Sequence, residues 1–199
     1  MAKQGKARVL NPEEHEQFLQ FLATSRQASL NKAVYLLGLR SGARIGSIAG
    51  LHLNDVLDTS GKLKEVVELR RDIVKNRKNY AIYLVHPELR IALIEYLAER
   101  PETEVPNLFV SQKNTAFSAN ALSHKMLKLF REAGFDGASS HSNRRGFATA
   151  CIRAGVDIVS LKTLMNHASI NQTSEYVFTN DDVLKRAVLS VDSAVNTLV

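Results

Sequence analysis

Apolar residues recur at helical spacing along most of this 199-residue chain, and the period breaks once, between Val66 and Val85. A helical repeat buries one stripe and a two-residue repeat buries one face. That single switch therefore confines the chain to mostly helical architectures carrying a small sheet. Residues 66–74 and 80–85 are rich in β-branched and aromatic side chains, and Lys75-Asn76-Arg77-Lys78-Asn79 between them is polar and of hairpin length. The fold class is α+β, mostly α, with a small antiparallel β-sheet.

Local signals punctuate the helices on either side. Asn11-Pro12-Glu13-Glu14 is a helix start, with a capping side chain, a proline in the first turn and acids near the positive end of the dipole. Phe18, Leu19 and Leu22 follow at helical spacing. A second helix is predicted over 29–41, burying Leu30, Val34 and Leu37 and broken by Gly42, and a third over 44–53. Pro87 opens a helix with Leu89, Leu93, Ile94 and Leu97 on its apolar stripe. Residues 101–106 form a loop, and Leu108-Phe109-Val110 is a short apolar run. Ser118 caps a helix ending at Gly134. Further helices are predicted over 144–154 and, capped by Asp157, up to Met165, with a turn into Tyr176. The division is a basic arm over 1–10, expected to be mobile, one domain over 11–180, and a terminal amphipathic helix over 181–199 with Leu184, Val188, Val191, Val195 and Leu198 on one face.

A net charge of +6 and a pI near 9.5 suit a polyanionic partner, because each neutralised phosphate releases counterions. Cys151 is the single cysteine, which excludes an intramolecular disulfide and a cysteine-based zinc site and reads as a core residue in a reducing compartment. No apolar run approaches the roughly 20 residues of a membrane span, and the N-terminus is polar and basic, so a cytoplasmic, nucleoid-associated protein is expected.

Four short patterns carry polar side chains of chemical interest: Gly42-Ala43-Arg44, Lys75 at the end of a strand, His141-Ser142-Asn143-Arg144, and Asn166-His167 with Tyr176 nine residues on. Singly, each has a plain structural explanation. An arginine beside an apolar helix snorkels to water, a hairpin lysine is solvated, and a tyrosine at a helix end packs. Together and in this order they resemble the catalytic domain of the tyrosine recombinase (phage integrase) family, over nearly the whole chain from Asn11 onward. The family's first arginine matches Arg44, its hairpin lysine Lys75 (with Lys78 close by), its His-x-x-Arg box His141 and Arg144, its later histidine His167 and its nucleophile Tyr176. Three positions depart from the pattern: Ser47 stands where an acid is usual, Arg145 where histidine is frequent, and Asn166 where glycine is frequent. The family's N-terminal DNA-clamping domain is also missing. That suggests a naturally minimal enzyme similar to the small fimbrial-switch recombinases, with a piece of a longer chain as the open alternative.

The resemblance implies the integrase catalytic-domain fold and a site-specific recombinase or integrase that cuts and rejoins DNA through a 3′-phosphotyrosine. On that reading Arg44, Arg144 and His167 hold the phosphate, His141 accepts the tyrosine proton, and Lys75 protonates the leaving oxygen. Neither ATP, a metal nor another cofactor is expected. Asn120, Ser123, His124 and Lys125 offer a helix face to the major groove of double-stranded DNA, with Arg77, Lys78 and Arg145 as phosphate contacts. The terminal helix packs either within its own subunit or on a neighbour. Exchange of this helix would build a homotetramer on DNA from monomers in solution, with accessory DNA-bending proteins as further partners. A type IB topoisomerase-like relaxing enzyme and a catalytically inactive DNA-binding accessory protein are the alternatives.

Overall fold

The computed structural model describes residues 7–75, 79–176 and 185. The expected terminal helix apart from Lys185, the first six residues of the arm, and Arg77 and Lys78 therefore lie outside the described residues. Helix α1 (Pro12–Thr24) starts on a reciprocal cap: the Asn11 side chain accepts from the Glu14 amide at 2.9 Å, and the Glu14 carboxylate accepts from the Asn11 amide at 3.0 Å. Helix α2 (Ala28–Ser41) is buried on nearly every side, at Leu30, Ala33, Val34, Tyr35, Leu36 and Leu37, because α1, α5 (Pro87–Glu99) and α7 (Ser140–Arg153) all pack against it. It ends at Gly42, whose left-handed backbone (φ 68°) releases the chain toward Arg44.

The third helix differs from the expected single element over 44–53. It divides into α3 (Ile45–Gly50) and α4 (Leu53–Val56), with Arg44 extended at the N-cap of α3. Contacts distant in sequence cause the break. The Leu108 amide donates to Leu51 O (2.7 Å) and the Leu53 amide donates to Pro106 O (2.9 Å), which pulls residues 51–53 out of helical geometry. The short apolar run 108–110 is fully buried beside them.

Strands β1 (Val66–Leu69) and β2 (Tyr80–Tyr83) pair antiparallel, Val66 opposite Tyr83 and Leu69 opposite Tyr80. Val67, Leu69, Tyr80 and Ile82 face the core, as a two-residue repeat requires. The first strand stops five residues short of its expected end. A 3₁₀ turn (Arg71–Ile73) replaces 71–73, held where Ser47 Oγ donates to Ile73 O at 2.8 Å and Arg70 pairs with Asp55. Lys75 consequently sits just beyond this turn, exposed, rather than at a strand end.

On α5 the inward stripe is Leu89, Ala92, Leu93 and Tyr96. Ile94, expected there, is 56% exposed, since five residues beyond Leu89 places it about 140° around the helix. Helix α6 (Ala119–Glu132) is capped by Ser118 and α8 (Ile158–Leu164) by Asp157, as expected. Helix α7 begins one turn earlier than expected, at the Ser139 cap, so His141 and Arg144 share one helix. A single turn, α9 (Asn171–Ser174), precedes Tyr176. The main core centres on Phe18, stacked on Phe130 with 4.3 Å between ring centroids. A separate small cluster of Ala148, Leu161 and Met165 is flanked by partly buried Phe147, Cys151 and Tyr176, so Cys151 lies there rather than in the main core. Residues 7–8 are docked and not free: the Arg8 amide donates to Gly137 O (3.1 Å) and Arg145 Nη1 donates to Ala7 O (2.7 Å). Among the described residues, no helix is long and apolar enough to cross a membrane.

Candidate active site

The site is assembled around the C-terminal end of α8. The last carbonyls of a helix lack intrahelical donors and must find others. Here the His167 amide turns back to Lys162 O and the Asn166 amide to Thr163 O, both at 3.0 Å, closing a Schellman motif with Asn166 left-handed at φ 44°. The next carbonyls receive arginines from other elements. Arg144 Nη2 on α7 donates to Met165 O, and Arg44 Nη2, from the N-cap of α3, donates to Asn166 O at 3.0 Å. Arg144 Nη1 donates in addition to Gly42 O, joining the end of α2 to the same cluster.

Two guanidiniums are thereby fixed side by side. Burial, and then the neighbouring Arg44 charge, push Arg144 down to about 10, still far above neutrality. Burial likewise lowers Arg44, with the Tyr80 and Tyr176 phenols opposing. The negative end of the α8 dipole offsets part of their repulsion, and each fork keeps N–H groups beyond those spent on carbonyls. Such a pair has every electrostatic reason to bind an anion.

A cleft of about 370 Å³ opens over the pair, lined by Arg44, Lys75, Arg144, His167, Ala168, Gln172, Glu175 and Tyr176. Arg144 also lines two adjoining clefts, of about 620 and 800 Å³, and His141 lines both. Tyr176 reaches the larger of these, so phenol and imidazole face one hollow. His167 is half-buried, and burial together with the Arg144 and Arg44 charges holds its pKa down to about 4. Its imidazole is therefore neutral near pH 7. Nδ1 lies 2.9 Å from the Oγ1 of fully buried Thr173, and the ring stacks on Tyr176 with 6.2 Å between centroids. If the Thr173 hydroxyl donates to Nδ1, the proton sits on Nε2, where it can be given to a bound oxyanion. Among the described residues no three His, Cys, Asp or Glu side chains gather as metal ligands.

This geometry coincides with a match over most of the chain. A family model described as the phage integrase family covers residues 8–182. The chain belongs to the phage integrase family. It is 28% identical over 162 residues to tyrosine recombinase XerC of Caldanaerobacter subterraneus subsp. tengcongensis, an alignment covering 78% of this chain and 43% of that protein. It is 26% identical over 193 residues to transposase A from transposon Tn554 of Staphylococcus aureus, covering 92% of this chain and 52% of the transposase. The Tn1549 transposon integrase, solved in complex with transposon right end DNA, has the same fold. Its TM-score is 0.76 at 18% identity, covering 94% of this chain and 66% of that one. The chain spans about half the length of the curated relatives it matches.

The three departures from the phage integrase pattern acquire physical accounts. Ser47, in place of an acid, steadies the turn before Lys75 through its bond to Ile73 O. Asn166 tolerates the left-handed backbone that glycine would adopt more freely. Arg145 ties down the end of the arm at Ala7. Of the expected recognition residues, Asn120 and His124 are exposed on α6, Ser123 Oγ is 3.1 Å from Ser140 Oγ, and Lys125 is half-buried with Nζ 2.9 Å from Gln27 Oε1. The sequence reading did not pick out Tyr80, Ala168, Gln172, Thr173 or Glu175 as residues of the site. Thr173 sits in an ordinary polar run and is recognisable only by its burial against His167.

Proposed function

We propose that this chain is a site-specific DNA recombinase that breaks and rejoins strands through a 3′-phosphotyrosine at Tyr176. The observation that carries the reading is the convergence of Arg44, Arg144, Lys75, His167 and Tyr176 on one cleft, with both guanidiniums pinned by main-chain carbonyls. A phosphodiester repels nucleophiles with its own charge. Two preorganised arginine forks neutralise its non-bridging oxygens and resist reorientation as charge develops, which is where most catalytic stabilisation arises. Neutral His167 adds an Nε2–H donor without placing a third cation in the pocket.

The Tyr176 hydroxyl attacks phosphorus and passes its proton to His141. The P–O bond to the 5′ oxygen breaks, and Lys75 delivers a proton to that oxygen. One phosphate ester replaces another, so the bond energy is conserved for rejoining, and neither ATP nor a metal enters the scheme. Attack on the phosphotyrosine by a different 5′ hydroxyl exchanges strands. Double-stranded DNA is the substrate, with Asn120 and Lys125 on α6 and Arg145 on α7 as the candidate contacts. Assembly of four copies on DNA through the terminal segment 181–199 completes the proposal.

The test is a pool of nicked suicide duplexes with randomised flanks, incubated with the native protein or Tyr176→Phe and resolved on a denaturing gel. A covalent band from the native protein alone, containing selected sequence, is expected. A band from both proteins would overturn the choice of nucleophile, and no band from either would favour a DNA-binding accessory protein. Recombination of a two-site plasmid then separates strand exchange from topoisomerase-like relaxation.

A further inference from the structure

Three successive carbonyls leave the end of α8, and two of them, Met165 and Asn166, are taken by the arginines described above. The first is taken by a residue outside the motif set. Tyr80 Oη, from the first residue of β2, donates to Leu164 O at 2.8 Å. Its ring is 7% exposed, and the hydroxyl lies against the Arg144 guanidinium, which tempers the upward push that burial exerts on its pKa. One phenol therefore touches both halves of the machinery: the arginine that would hold the phosphate, and the helix end from which His167 and Tyr176 extend.

We infer that Tyr80 is a positioning residue, setting the nucleophile-bearing segment in register with the arginine pair. This rests on the recombinase reading above and extends it to a side chain whose hydroxyl proton is held on a main-chain carbonyl and takes no part in the transfer steps. Only a small apolar cluster, with Ala148, Leu161 and Met165 as its buried members among the described residues, fastens α8 to the body. Directional bonds at the carbonyls must therefore fix where its end points. Three donors from β2, α7 and the start of α3 triangulate that end. Deleting the first leaves that end of α8 held by two arginines alone, and a partly buried carbonyl without a partner. Tyr80 also stands opposite Leu69 on β1, which ties the same point to the small sheet. Arg144 and the segment that bears Tyr176 are thus referred to one common point.

Tyr80→Phe keeps the ring and its packing and removes only the hydroxyl. Using a duplex recovered from the suicide selection, three quantities are compared with the native protein: single-turnover cleavage rate, dissociation constant for the duplex, and thermal midpoint. Misplacement of a reacting group by roughly 1 Å costs about 100-fold in rate. A cleavage rate reduced by about 5- to 100-fold is therefore expected, with the dissociation constant within about twofold and the midpoint nearly unchanged. An unchanged rate would overturn the inference, as would a fall in affinity or midpoint large enough to account for the lost rate. Absence of a covalent band from the native protein would instead sink the recombinase reading itself, and the two failures are told apart in the same gel.

Discussion

His167 is where one side chain's environment translates most directly into a measurable property. Its folded-state pKa is near 4, against an ordinary 6.5, because the ring is partly buried beside Arg144 and Arg44. Between those values the unfolded chain binds a proton that the folded chain refuses. Stability is therefore fully present above pH 6.5 and is lost as pH falls toward 4. Solvent screening in this open cleft limits the contribution to about 1 kcal/mol, equivalent to roughly 2–4 °C in midpoint for a chain of this size. Thermal melts at pH 7 and pH 5 should show the native midpoint dropping by roughly 1–2 °C more than the midpoint of His167→Asn, since pH 5 covers only part of the span between 6.5 and 4. A residual slope should persist in the variant, since burial also lowers His15 and His86. Equal slopes in the two proteins would show that His167 is not the group held neutral. The sequence marked His167 by its place before Tyr176. It could not show that the ring would be held neutral, because that depends on arginines 23 and 123 residues away.

Among the elements, the α2–α7 contact joins stability to chemistry at Gly42. This residue has φ 68°, and a Cβ added there would stand 2.5 Å from Cδ1 of Phe147 on α7. Its carbonyl also anchors Arg144. Gly42→Ala should cost about 1 kcal/mol for the left-handed backbone and about 1–3 kcal/mol more for displacing a packed ring. Gly155→Ala is the control: the same backbone sign, φ 82°, with open space around the new methyl, so only the first cost applies. Urea denaturation should rank the two clearly, and equal losses would mean that α2 and α7 separate without penalty. What could be read in advance about these elements follows the same division. Caps at Asn11, Ser118 and Asp157 were legible because their partners lie within three residues. The split after Gly50 and the early end of β1 were not, since bonds to Pro106, Leu108 and Ser47 decide them. Ile94 misled because apolar character alone does not tell which of two adjacent positions faces inward.

For the molecule as a whole, the described residues form two packing units of very unequal size, and the candidate nucleophile belongs to the smaller one. The main core gathers side chains from α1 through α6, whereas α8 and Tyr176 rest on a cluster with three fully buried members. Cooperative opening follows buried apolar contact, so these units should not open together. The amides of α2 and α5 should exchange with solvent hydrogen only through global unfolding. Those of α8 and α9 should exchange faster by at least about tenfold, which corresponds to an opening cheaper by about 1.4 kcal/mol or more. A phosphate bound between Arg44 and Arg144 would change that difference. The same guanidiniums that grip Met165 and Asn166 would be held from the other side as well, and Tyr176 borders the same cleft. Hydrogen exchange with and without a selected duplex should therefore show protection rising in 161–176 and remaining level in α2. Uniform exchange in both units of the free protein would mean that the carbonyl bonds weld α8 to the core. The end of α8 could then not yield during the strand exchange proposed above.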